Sequence, residues 1–325
     1  MKRRDVLRAA AAGLSGLLAS RPAPASTRKG ILIGTGAAGG VYFPLGGALC
    51  RLFNLDSDRL GMRCSAETSP GSVTNIEALR DGEIDVGIVQ SDVLADAIRG
   101  EGAFAAAGPM SNLRLVLAAH DEPFTIVART DVGIVSSADL DGKRVNIGNI
   151  GSGHRVMMER LMRASGLTRA HFAATLELGP GAQVQALCQG RIDAIVYSVG
   201  HPNGLIQEAV RSCGGRLVPI VEERIREIVA SHSEYESMSI PGGVYRENWA
   251  DTPTFGTRAM VMTTTEVSAP AIRHLVQSVI ENADEFRQLH LAFARLDPRR
   301  LAMRPDFATF HSGAEGYLRE RGLLR

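Results

Sequence analysis

The sequence predicts an α/β protein of two similar lobes that face one another across a cleft, each lobe a mostly parallel sheet flanked by helices. Three observations carry that expectation. Apolar runs of strand length alternate with helix-length amphipathic segments, the order that builds parallel sheets. A unit of helix end, glycine stop and buried strand occurs twice, since Leu79-Arg80-Asp81-Gly82-Glu83-Ile84-Asp85-Val86 returns as Leu187-Cys188-Gln189-Gly190-Arg191-Ile192-Asp193-Ala194, 108 residues later. Each copy also follows a strand that runs into a glycine loop, Ile31-Leu32-Ile33 into residues 34–40 and Arg144-Val145-Asn146-Ile147 into residues 148–153. With 325 residues, 45% of them hydrophobic, only 5% aromatic and 35 glycines, the chain suits α/β packing in about two domains.

The chain opens with Lys2, Arg3 and Arg4, an Ala- and Leu-rich run from Ala9 to Ala19, and Ala23-Pro24-Ala25 as a cleavage site, which together read as a signal peptide over residues 1–25. Arg3-Arg4-Asp5-Val6-Leu7-Arg8 looks like a twin-arginine signal, with an ordinary secretory signal as the alternative. Its loss removes Lys2, Arg3, Arg4, Arg8 and Arg21 against Asp5, a net +4, so the chain moves from +1 to −3. A faintly acidic protein does not attract nucleic acid. No later run approaches the ~20 apolar residues of a membrane span, so the expected location is the periplasm.

The first strand leads into Gly34-Thr35-Gly36-Ala37-Ala38-Gly39-Gly40-Val41-Tyr42-Phe43-Pro44, where glycines let the backbone approach a ligand and the following helix aims free N–H groups at it. Read literally, Gly34-x-Gly36-x-x-Gly39 is also a dinucleotide fingerprint with Glu67 as the ribose acid, which keeps an exported NAD(P)-linked oxidoreductase as a rival. A second turn, Ser69-Pro70-Gly71-Ser72-Val73-Thr74-Asn75, opens a second helix beside the first, and two such turns suit a small polar ligand. Residues 113–119 and 122–129 read as strands that cross to the other lobe, and the chain returns near residues 254–262 before helices around 271–289 and 313–321. The lobes are therefore expected at residues 28–120 plus 255–325, and at 121–254, closing about a hinge. Cys50, Cys64, Cys188 and Cys213 have no CxxC spacing; buried free thiols are expected ahead of a metal site, with Cys188 to Cys213 the best candidate for a disulfide.

Six segments in order, GTGAAGGVYFPLGGAL (34–49), PGSVTN (70–75), DGEIDVGIVQSD (81–92), DLDGKRVNIGNIGSG (139–153), GRIDAIVYSVGHPN (190–203) and HSGAEGYLRERG (311–322), resemble the TAXI family of TRAP-transporter solute receptors. The resemblance implies a type II periplasmic binding-protein fold and a non-catalytic receptor without cofactor or metal. It further implies delivery of a small carboxylate such as glutamate or 2-oxoglutarate to TRAP permease subunits driven by an ion gradient; a periplasmic sensor would use the same cleft. It places ligand contacts at Thr35, Gly36, Gly39, Gly40 and Tyr42 in the first loop, at Ser72, Val73 and Asn75 in the second, and at Gln90 and Ser91 after the repeated strand. The other lobe contributes Ser152, Gly153, His154, Tyr197 and Ser198. Ser72 serves equally as an N-cap. His154 departs from the threonine usual in the family, and here it neutralises a second carboxylate, narrows the cleft and so shifts ligand choice, or points to solvent. No Ser-His-Asp, metal-ligand or paired-carboxylate spacing stands out, and His120-Asp121-Glu122 falls at the hinge.

Overall fold

The computed structural model describes residues 30–246 and 248–324, so the expected signal peptide lies outside the described residues. The chain runs through β1 (Gly30–Gly34), α1 (Tyr42–Phe53), the short α2 (Ser57–Leu60), β2 (Arg63–Glu67), α3 (Ser72–Arg80), β3 (Val86–Gln90), α4 (Ser91–Arg99) and the 17-residue β4 (Leu113–Arg129). It continues through β5 (Arg144–Asn146), α5 (Gly153–Ala164), β6 (Ala174–Leu176), α6 (Pro180–Cys188), β7 (Ala194–Ser198), α7 (Gly204–Ser212), β8 (Gly215–Val218), α8 (Glu223–Ser231) and β9 (Glu236–Ile240). It returns along β10 (Thr252–Thr264) and ends in α9 (Ala269–Glu281), α10 (Ala283–Gln288), α11 (Pro298–Leu301) and α12 (Ser312–Glu320).

The strands lie in the order β2-β1-β3-β10-β4-β7-β5-β6, with β8 beside β4 and β9 beside β10. β2, β1 and β3 are parallel, as are β6, β5 and β7, while β10 and β4 run antiparallel to their neighbours, so the sheet is mixed. The two strands expected at 113–119 and 122–129 are one, β4. Its first part pairs with β10 up to Pro123, and from Phe124 onward it pairs with β7 and β8. Proline has no N–H to give a ladder, and the change of partner falls at it.

The repeat in the sequence is a repeat in space. α3 and α6, and likewise β3 and β7, have bounds that differ by 108 residues at both ends. Their polar fastenings repeat too. Asp85 Oδ2 accepts the N–H of Leu32 and Asp193 Oδ2 that of Arg144, each at 2.8 Å. Asn75 Nδ2 donates to Ile88 O at 2.8 Å, and its counterpart Gln183 Nε2 donates to Val196 O at 3.1 Å. Each of these buried amides ties the start of a helix to the strand that follows it, which satisfies backbone groups that burial would otherwise strand.

β3 and β7 are buried throughout, as befits strands covered on both faces. α1 turns Leu45, Leu49, Leu52 and Phe53 toward the core under α9. A second core packs Met157, Leu161 and Val196 around Phe124 and Phe255, whose rings meet edge to face at 5.8 Å where β4 and β10 cross. Truncating either ring to alanine would cost about 3–5 kcal/mol.

Two sequence expectations need correction. The helix expected over 271–289 is broken at Asn282, which ends α9 and starts α10 while its Nδ2 donates back to Ser278 O at 2.8 Å. The four cysteines are not free: Cys50 of α1 pairs with Cys64 of β2, and Cys188 at the end of α6 with Cys213 at the end of α7. Packing brings the Cα atoms of each pair to 4.8 and 4.3 Å; linear spacing does not show that α1 lies along β2.

Candidate functional site

The two glycine loops meet. Gly151 O accepts from the N–H groups of Val73 and Thr74 at 3.1 and 3.3 Å, and Asn149 Nδ2 donates to Pro70 O at 3.1 Å. At the opposite edge Asn203 Nδ2 donates to Gly39 O at 3.0 Å. Between these seams lies a cavity whose empty space, counted together with the solvent at its open side, is about 410 Å³.

Its wall is made where strands end and helices begin. Gly36, Gly40 and Tyr42 come from the loop into α1, Gly71 and Ser72 from the start of α3, and Gln90 from the end of β3. Across from them stand Ser152, Gly153 and His154 at the start of α5, Pro180 at the start of α6, and Tyr197 and Ser198 at the end of β7. Four helices thus begin at wall residues, and such N-terminal ends favour a negative group. No arginine or lysine among the described residues lines the wall. Arg129 pairs with Asp131, Arg155 with Glu159 and Glu177, and Arg258 with Asp121 and Glu236.

Two buried polar atoms of the wall have no hydrogen-bond partner, Gln90 Oε1 and Ser198 Oγ. They occupy equivalent positions of the repeat, the last residue of β3 and the last of β7. Buried polar atoms are nearly always satisfied, so a matched pair of exceptions facing one cavity calls for a polar occupant.

Glu122 is the ionisable wall residue that sequence reasoning missed. It lies on β4, is 2% exposed, and its Oε2 accepts from the Tyr42 hydroxyl at 2.8 Å. Burial, above all, pushes its carboxyl well above the ordinary carboxylate range; burial and then the Glu122 charge push the Tyr42 phenol well up. Behind it His120 Nε2 stands 3.8 Å from Glu122 Oε1, and burial drives this imidazole down to about 3, so it is neutral. The available signal was a carboxylate and an imidazole two residues apart in a strand, hence on one face.

Of the expected contacts, Gly36, Gly40, Tyr42, Ser72, Gln90, Ser152, Gly153, His154, Tyr197 and Ser198 reach the wall. Thr35, Gly39, Val73, Asn75 and Ser91 do not. Thr35 is fully buried and donates its hydroxyl to Glu67 O at 2.6 Å, while Asn75 Nδ2 donates to Thr35 O and Ile88 O. Gly39 is pressed on Leu205, where a β-carbon would come within 2.6 Å of Leu205 Cδ1. Val73 belongs to the apolar core, and Ser91 Oγ donates to Glu234 O at 2.7 Å. Ser72 does not cap its helix, because Gly71 holds that place with φ 137 and Ser72 Oγ accepts from Gln90 N–H at 3.1 Å. His154 is buried, edge-on to Tyr197 at 5.3 Å, and burial followed by the neighbouring Arg155 charge lowers it to about 3. It neither points to solvent nor carries the charge that neutralising a carboxylate requires. Ala37, Val41, Pro70, Gly71, Pro180 and Val199 complete the wall without having been expected as contacts.

Among the described residues no group of three or more His, Cys, Asp or Glu could hold a metal ion, and no helix is long and apolar enough to cross a membrane. The fold is similar to that of a protein from Bordetella bronchiseptica RB50, with a TM-score of 0.57, 14% identity, and 90% of this chain and 98% of that one covered. It is similar to the periplasmic binding protein BugD, with a TM-score of 0.52, 13% identity and coverage of 81% and 86%. The periplasmic aliphatic sulphonate binding protein SsuA of Escherichia coli aligns at a TM-score of 0.48 with 18% identity, over 82% of this chain and 74% of its own. The architecture is the α/β fold of type II periplasmic binding proteins. The NMT1-like family matches residues 33–322, and the chain belongs to that family.

Proposed function

We propose that this protein is an exported, non-catalytic receptor of the TAXI type that captures a small carboxylate, such as glutamate or 2-oxoglutarate, and hands it to the membrane subunits of a TRAP transporter. The single observation that carries the reading is the cavity between the two glycine loops, with Gln90 Oε1 and Ser198 Oγ of its wall left unpartnered. Helix N-termini around it supply the favourable field for the carboxylate. The solute is taken up by closure of two lobes, residues 28–120 plus 255–325 against 121–254, and a signal peptide ending near Ala25 sends the protein to the periplasm. The oxidoreductase rival loses support, since Gly39, the third glycine of its fingerprint, is packed on Leu205 and gives no room to a pyrophosphate.

Thermal-shift titration of ligand-stripped protein tests this, because a ligand that binds only the folded state raises its melting temperature by mass action. A shift with carboxylates or amino acids and none with NAD(P) supports the receptor. A shift with NAD(P) alone ends it.

A further inference from the structure

Two side chains of the cavity wall, Glu122 and Gln90, offer acceptor oxygens. Glu122 contributes its carboxyl, whose Oε2 is taken by the Tyr42 hydroxyl and whose Oε1 faces no cation. Gln90 contributes Oε1, which is buried and unpartnered. The two come from strands on either side of β10 and are joined through it. Thr257 of β10 is in register with Glu122, and Gln90 Nε2 donates to Thr257 Oγ1 at 3.0 Å, which turns the amide oxygen away from Thr257.

The groups facing Glu122 supply no positive charge. They are Tyr42 from α1, His120 and Asp121 along β4, Tyr197 from β7 and Asp92 from α4, and His120 is neutral. A buried carboxylate without a positive partner is costly. An occupant that brings an N–H-rich cation would remove that cost and fill both acceptors.

We propose that Glu122 and Gln90 form an ammonium subsite, so that the solute is an α-amino acid held by its carboxylate at the helix ends and by its amine at β4 and β3. This deepens the receptor reading and rests on it. A 2-oxo acid of the same skeleton presents an acceptor oxygen at that place and leaves Gln90 Oε1 unsatisfied.

Isothermal titration calorimetry of the full-length protein freed of ligand tests this with matched pairs, L-glutamate against 2-oxoglutarate and L-alanine against pyruvate, at pH 7. The expected result is an amino acid that binds about tenfold or more tightly than its oxo twin, as a charged hydrogen-bonded contact should give. Glu122→Gln then brings the twins close to parity, with circular dichroism and melting temperature confirming its fold. If that variant does not fold, Gln90→Met, which removes the other acceptor, narrows the preference in its place. An oxo acid that binds as tightly as the amino acid, or a folded variant that keeps the full preference, overturns the ammonium subsite and leaves the receptor standing. If no member of either pair binds, the carboxylate-receptor reading fails and the subsite with it.

Discussion

Gln90 Oε1 lies where a side chain on Gly153 would begin: a β-carbon built there stands 1.4 Å from that oxygen. Gln90 ends β3 and Gly153 starts α5, so strand and helix meet at a point where one of them carries no side chain at all.

Gly153→Ala should therefore push α5 away from the end of β3. Close-packed interiors do not absorb a methyl at such a distance. Ligand affinity is expected to fall about a hundredfold or more on the proposed closure of the lobes, because the two sides of the cavity can no longer meet around the solute. Titration calorimetry gives the affinity, and an affinity within about threefold of the unaltered protein refutes the prediction.

Ser91 supplies the opposite case. Its hydroxyl donates to Glu234 O and accepts from Arg258 N–H at 3.1 Å, so it fastens α4 to the segment before β9 and to β10 without reaching the cavity. Ser91→Ala should cost about 1–2 kcal/mol of stability in denaturant unfolding. Affinity for the solute should stay within about threefold of the unaltered protein, less than the loss of a direct contact.

Asp92 makes the stability pH-dependent. It is fully buried, and burial first, then the Asp96 charge, push it up to about 7 against the opposing pull of Arg160. The folded chain keeps a proton that the unfolded chain releases near pH 4, so the stabilising contribution is complete below that pH and is lost as pH rises through about 7. Asp92→Asn removes this titration while keeping an acceptor for the Val93 N–H. The variant should gain on the unaltered protein steadily from pH 4 to pH 7 and hold a constant lead above it. Melting temperatures of both across that range decide it, and a flat difference refutes it. His120 and His154, lowered to about 3, act with the opposite sign but equally in both proteins.

The disulfides join cysteines 14 and 25 residues apart, and loop entropy gives each about 3 kcal/mol. Native protein unfolded in guanidinium with an alkylating reagent should yield no modified cysteine, and prior reduction should yield four. Replacing either pair by alanine should lower stability by about 2–4 kcal/mol in denaturant unfolding.

Much of the architecture was legible because the chain states it twice: the strand-glycine-helix order placed β3 and β7 correctly, and with them Gln90 and Ser198. What was not legible depends on pairings across the chain. Glu122 reaches the cavity only because β4 runs beside β10 and because Tyr42, 80 residues away, closes on it. Thr35 and Asn75 looked like ligand donors because they are polar and lie near glycines, yet buried as they are they serve the backbone carbonyl groups of Glu67 and Thr35 first. His154 lines the cavity as expected, but uncharged, because its charge state follows from burial, which a sequence position does not disclose. The cysteine pairing of α1 with β2 was hidden for the same reason.

The place of β10 between β3 and β4 has a consequence for how the protein is made. Gln90 and Ala259, opposite one another in that ladder, are 169 residues apart. While synthesis proceeds, β3 keeps an unpaired edge until Thr252–Thr264 has left the ribosome, and exposed edges of this kind invite wrong partners. The amino-terminal sheet, first to be translated, is last to be finished, and long-range closure of this sort slows folding. A fragment that ends before residue 252 should consequently aggregate rather than persist as a half-molecule, which makes the second crossing strand the point at which the newborn chain commits to its native form.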